Sequence, residues 1–182
     1  ACLSLISIRT GIPTIVSAQD GRKYFAHLMI TADPEVAHPD ARSYRPSKGS
    51  AFELVKSRLD RKVWVLYRNT RLKHQIIPGS KLLFYVGGSK KHRWQVVASG
   101  VVDAVEDWKL SKGAIDPPEY LTDPPSQVLR LRDIRYATEP RNVKDLLPKL
   151  DLAPKKLKYW GVVLQGGCTG LSKADWDLLA PR

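Results

Sequence analysis

Cysteine is almost missing from this chain. Cys2 and Cys168 stand far apart, and neither has a partner at metal-ligand spacing. That excludes a disulfide framework or a Cys-rich metal knot and fits unpaired thiols in a reducing compartment. The four histidines (His27, His38, His74, His92) show no H-E-x-x-H or other metal spacing, and no G-x-S-x-G, Walker A or G-x-G-x-x-G run is present. Enzyme signatures are therefore thin. The acidic pairs Glu106-Asp107 and Asp175/Asp177 are read as solvated loop charge and helix-start charge. No apolar run reaches the roughly 18 residues of a membrane span, and the apolar opening Cys2 to Ile8 lacks a basic region before it. The expectation is a cytoplasmic protein with no membrane partner and no cofactor. Acidic residues are also few: 18 against 30 basic ones leave a net charge of +12 in 182 residues. Charge in such excess costs self-repulsion and points to a polyanion, with nucleic acid first.

Apolar residues make up 43% of the chain, enough for one domain with a buried core. Residues 1–22 are read as an N-terminal extension and 23–182 as the domain. Lys23 to Thr31 is apolar on both faces at period 2, as in a central strand. The prolines at 34, 39 and 46 mark a loop from 32 to 46. Ser50-Ala51-Phe52-Glu53 has the form of a capping box, predicting a helix to about Leu59, and Lys62 to Tyr67 follows as a strand. Between 56 and 74, seven positive charges face Asp60 alone, a net of +6.

The centre of the pattern is the Pro78-Gly79 turn followed by Leu82 to Val86, apolar on both faces. Gly87-Gly88 ends that strand, a basic tip (Lys90, Lys91, Arg93) follows, and an apolar run from Trp94 to Val102 returns as a hairpin. Gly100 inside the run predicts a bulge and a bending sheet. Residues 103–125 read as loop, and 128–136 as a strand with Arg130 and Arg132 outward. A helix capped by Asn142 is expected, shortened by Pro148. Tyr159 to Gln165 reads as a last strand, Gly166-Gly167 as a turn, and Ser172 as the cap of a final helix. On that reading Trp160 and Trp176 are core residues. The whole is an α+β domain with a strongly curved or closed sheet. Trp64, Tyr67, Tyr85, Trp94 and Trp108 interleave with the basic half, a pattern that suits stacking on bases beside phosphate neutralisation, although such rings also serve as core.

Taken in order, the runs KYFAHLMIT (23–31), YRNTR (67–71), IPGSKLLFYV (77–86), ASGVV (98–102) and WGVVLQGG…LSKADWDLL (160–179) resemble EVE domains. These belong to the PUA-like superfamily, with the YTH, ASCH and SRA domains. The departures are Ser80, where the family usually has Asp, and residues 1–22, which the family pattern does not explain. The resemblance implies a PUA-like pseudo-barrel of five or six mixed strands flanked by helices. It also implies an aromatic-lined pocket that holds a modified base by flipping it, and relatives linked to modification-dependent restriction. Carried to this chain, it makes Trp64, Tyr67, Arg68, Asn69, Tyr85, Thr31 and Trp108 the base-pocket candidates. Lys73, Lys90, Lys91 and Arg93 become phosphate contacts. The implied partner is nucleic acid, modified DNA ahead of RNA, with an effector domain or partner protein acting downstream of a non-catalytic module. Two alternatives stay open: an ASCH-like ribonuclease using Tyr85 with Arg68 or Lys81, and a small-ligand or protein-binding module.

Overall fold

Strands that are apolar on both faces need cover on both sides, and two such strands form the middle of this molecule. A computed structural model of the chain describes residues 23–33, 35–37, 44–46, 49–88, 90–108 and 125–181. The expected extension 1–22 lies outside the described residues. Strand β1 (Ala26–Thr31) runs parallel to β5 (Lys81–Val86), with Ile30 opposite Tyr85 and Thr31 opposite Val86. Around them β4 (Val63–Tyr67), β6 (Gln95–Asp107), β7 (Pro125–Asn142) and β8 (Cys168–Leu171) complete a six-stranded sheet in the order β4-β7-β6-β5-β1-β8. Every neighbouring pair except β1–β5 is antiparallel. The sheet is a mixed half-barrel. Its bend is built by three register shifts between β6 and β7, one of them at Ser99/Val101 around Gly100, as that glycine predicted.

The helices start where the capping signals put them. In α1 (Ala51–Asp60) the Ser50 hydroxyl accepts from the Glu53 amide at 3.2 Å, and the Glu53 carboxylate accepts from the Ser50 amide at 2.8 Å. Asn142 caps α2 (Val143–Leu146), which tightens into a 3-10 turn, Leu147–Lys149, at Pro148. Ser172 and Asp175 form the second capping box, opening α4 (Lys173–Leu179). One face of the sheet packs Trp64, Phe84, Val86 and Leu129 against α1. The other packs Leu28, Leu83, Tyr85 and Val96 against Val143, Leu147 and Leu179. Each fully buried Leu or Phe contributes roughly 1.5–3 kcal/mol.

Three expectations are corrected. Residues 159–165 are not a strand: a 3-10 turn (Leu157–Tyr159) leads into helix α3 (Trp160–Val163). Trp160 and Leu164 face inward at the i, i+4 spacing of a helix, while Val162 is 56% exposed; a strand would have placed all three on one face. The closing strand is β8. The expected loop 32–46 holds a short antiparallel pair, β2 (Glu35–Ala37) with β3 (Tyr44–Pro46). Finally, 103–107 continues β6, paired to β7 as far as Asp107–Gln127.

Candidate functional site

The parallel pair β1–β5 ends on one edge, and the chain leaves β5 through two glycines. The Gly87 amide donates to the Thr31 carbonyl at 2.7 Å, and a side chain at Gly88 would overlap the Asp33 carboxylate. A side chain there would have to displace a carboxylate that accepts from the Ala51 amide at 2.9 Å. Beyond it the backbone turns through left-handed residues, His92 (φ 62°) and Trp94 (φ 64°), before β6 begins. Hydrogen bonds on both sides fix Trp94: its amide donates to the Val86 carbonyl at 2.7 Å, and its carbonyl accepts from the Val143 amide at 2.8 Å. Arg93 and Trp94 are thereby held over the edge where β1 and β5 stop.

From the other side α3 brings Trp160 and Leu164. The result is a cavity of about 440 Å³, within the usual range of ligand pockets. Tyr85, Trp94 and Trp160 line it, with Ile30 and Leu164 as aliphatic floor and Arg93 and Lys158 as cations. Trp94 and Trp160 meet edge to face, centroids 5.5 Å apart at 85°. The Arg93 guanidinium stacks 3.7 Å from the Trp94 centroid, and the Lys144 ammonium lies 4.4 Å from it. Thr31 is 5% exposed, and its hydroxyl finds no hydrogen-bond partner among the described residues. Burial holds the Tyr85 phenol well above its ordinary pKa, against the opposing pull of Arg93. It is therefore a neutral hydroxyl at physiological pH. The described lining residues include no carboxylate and no imidazole. Among the described residues no group of three or more His, Cys, Asp or Glu could hold a metal ion.

The structure brings Tyr85, Thr31 and Arg93 of the sequence candidates to this cavity. The others lie elsewhere. Trp64 is 2% exposed in the opposite core layer, 4.7 Å from the Phe84 ring and under the Arg58 guanidinium at 5.0 Å. Phe84 and Tyr85 are successive strand residues on opposite faces, so a ring packed on Phe84 is screened from Tyr85's side by the sheet. The Tyr67 hydroxyl accepts from Arg58 at 3.0 Å. Arg68 and Asn69 are exposed in the turn after β4, and Trp108 sits half-buried at the end of β6, its amide donating to Ser126. Lys90 donates to the Gly49 carbonyl and Lys73 to the Arg68 carbonyl, while Lys91 is exposed. Lys81, weighed with Tyr85 as a ribonuclease pair, opens β5 four residues before Tyr85, about 13 Å away along the strand. Its ammonium lies instead over Phe25 at 4.3 Å.

Trp94, Trp160, Leu164 and Lys158 are absent from the pocket expected on sequence. Trp94 is one of the interleaved aromatics and carries a signal. Trp160 packs against the core layer as expected, but from helix α3 rather than a strand, and its half-buried ring also lines the cavity. Its spacing to Leu164 is the readable sign.

No protein-family model matches the chain, and no curated protein matches it. Solved structures do match in fold. The N-terminal domain of McrB from Staphylothermus marinus superposes with a TM-score of 0.53 at 10% identity, covering 86% of this chain and 93% of that one. Two variants of the ASCH protein from Zymomonas mobilis each give 0.51, at 11% and 12% identity, covering 84% and 85% of this chain. Nothing in these likenesses singles out EVE domains. What they share with this chain is the architecture: it has the α+β PUA-like pseudo-barrel fold.

Proposed function

We propose that this protein is a nucleic-acid-binding module whose cavity receives one unstacked, modified base. A single observation carries the reading: three aromatic rings and one buried, unpartnered hydroxyl share a cavity with two cations. The half-buried Trp160 ring offers a stacking surface worth roughly 1–3 kcal/mol to a base, while Tyr85, 2% exposed, and Trp94, covered by Arg93 and Lys144, wall the cavity. The Thr31 hydroxyl offers a donor and an acceptor to a base edge, and its isolation is a cost that a ligand removes. Arg93 and Lys158, with Lys90 and Lys91 beyond them, supply charge for the flanking phosphates, in keeping with the net charge of +12. Unstacking a base costs a few kcal/mol, which these contacts can offset. Modified DNA is the ligand we place first, on the resemblance to EVE domains. RNA is the arm of the test that separates the two. A catalytic role has less support, since the described lining residues include no carboxylate or imidazole and burial keeps Tyr85 protonated.

Thr31→Val is the sharpest test. It removes the hydroxyl and keeps the shape, so the preferred modified oligonucleotide should lose about 1 kcal/mol, or roughly fivefold, while the unmodified strand is unaffected. The melting temperature should hold or rise, because an unpaired buried hydroxyl is gone. Unchanged affinity for every oligonucleotide, or an equal loss on modified and unmodified strands, would remove Thr31 from the base contact.

A further inference from the structure

At the other end of β5 lies a second concavity that the base cavity does not use. Its volume is about 210 Å³, and Lys81, Ser99, Gly100, Val101, Arg135 and Trp176 line it together with Asp133. Its floor is the bulge between β6 and β7: Ser99 pairs with Arg135 and Val101 with Arg132, so Asp133 and Ile134 fall in the irregular step, and Asp133 adopts a left-handed φ of 52°. A bulge interrupts the ladder and leaves main-chain groups pointing away from a strand partner. The Lys81 ammonium is steered there by aromatic rings, lying 4.3 Å from the Phe25 centroid and 5.7 Å from that of Trp176. Neither Lys81 nor Arg135 has an acidic partner among the described residues. The acid in the wall, Asp133, is paired with Arg132, a guanidinium it shares with Asp103 at 3.6 Å, so Lys81 and Arg135 outweigh one remaining negative charge.

We infer that this concavity is a phosphate-binding site, with Lys81 and Arg135 as its charges and the Ser99 hydroxyl as a donor. A planar guanidinium fits two phosphate oxygens at once, and an ammonium acts as a point charge opposite it. Ser99 lies at the break in the ladder, where a hydroxyl and main-chain N–H groups can complete the shell. The inference does not depend on the base cavity, which lies about 13 Å further along the strand. The same chemistry could come from free phosphate or from a nucleic-acid backbone.

The test is a titration of the whole chain with inorganic phosphate at constant ionic strength, read from the amide resonances of Ser99, Gly100 and Val101 and the Trp176 indole. Saturable shifts at these four groups are expected, with at least tenfold weaker binding in Lys81→Gln/Arg135→Gln. Arg135→Gln alone, at an exposed position, serves if the double variant does not fold. A parallel titration uses a single-stranded oligonucleotide without terminal phosphates. Shifts at the same amides assign the site to the backbone, and shifts with inorganic phosphate alone assign it to a free or terminal phosphate. No saturable shift with either probe, or shifts undiminished in the variants, would overturn the site. Trp160→Ala should leave all of these shifts in place, so failure of the base reading and failure of this one are told apart.

Discussion

Two tryptophans make the base-cavity account quantitative, because they differ in what surrounds them. Trp160 is half-buried, lines the cavity and touches Trp94 edge to face. Trp64 is enclosed between Phe84 and Arg58 in the opposite layer. Changing Trp160 to Ala removes one stacking surface, so the preferred modified oligonucleotide should bind roughly 5- to 150-fold more weakly, from 1–3 kcal/mol per stacked base. The fold loses the edge-to-face pair, worth about 0.5–1.5 kcal/mol, and the packing of a half-buried ring on the core layer, so at 2–4 °C per kcal/mol the melting temperature should drop by at least roughly 1–6 °C, but by less than for the buried Trp64. Changing Trp64 to Ala should do the reverse. A cavity in the core costs about 3–5 kcal/mol, or roughly 6–20 °C, with binding by the folded fraction unchanged. Fluorescence anisotropy on paired modified and unmodified strands, with a thermal melt of each variant, reads both quantities. A selective binding loss at Trp64, or equal losses on both strands at Trp160, would refute the assignment of the two rings.

Three further outcomes follow from single features. Replacing Lys90 and Lys91 with Ala should lower the slope of log affinity against log salt by roughly one unit for each phosphate the tip no longer neutralises; a slope that does not change removes the tip from the interface. Ser50→Ala breaks a capping box and should cost about 1 kcal/mol, seen as a melting shift of roughly 2–4 °C with binding intact. Burial raises the Cys168 thiol from 9.0 to about 12, so the folded state holds its proton more tightly than the unfolded one. Stability should then fall as pH rises from about 9 toward 12, and native Cys168 should resist alkylation at pH 8 until the protein unfolds. Rapid native labelling of the Cys168 peptide would contradict that.

Local signals carry most of the fold. Ser50, Asn142 and Ser172 announce helix starts because a cap acts within four residues, and the two-sided apolar runs at 26–31 and 82–86 fix the central strands because burial on both faces leaves no polar alternation. Where sequence and structure part, the local pattern is ambiguous. Tyr159 to Gln165 has the β-branched content of a strand, but the Trp160–Leu164 spacing and the exposure of Val162 belong to one helical turn. Reading that segment as a strand also hides Trp160 from the site. Trp94 is visible as an aromatic beside Arg93, yet its place over the cavity comes from a left-handed backbone and from Val143, far away in sequence. Trp64 shows the converse: a tryptophan next to basic residues is in the core, because its neighbour Arg58 is buried on its face rather than turned to solvent.

The most direct measurement is a binding panel of otherwise identical oligonucleotides, DNA and RNA, each carrying a different base modification, repeated at two salt concentrations. Phosphate contacts are common to every member and weaken with salt, whereas stacking and the Thr31 hydrogen bond depend on the base and not on counterion release. The account predicts that at least one modified strand binds roughly tenfold or more tightly than its unmodified counterpart, as one stacked ring and one hydrogen bond allow, and that this ratio persists while both affinities fall as salt rises. Equal affinities across the panel, or a preference that vanishes with salt, would contradict base recognition in the cavity.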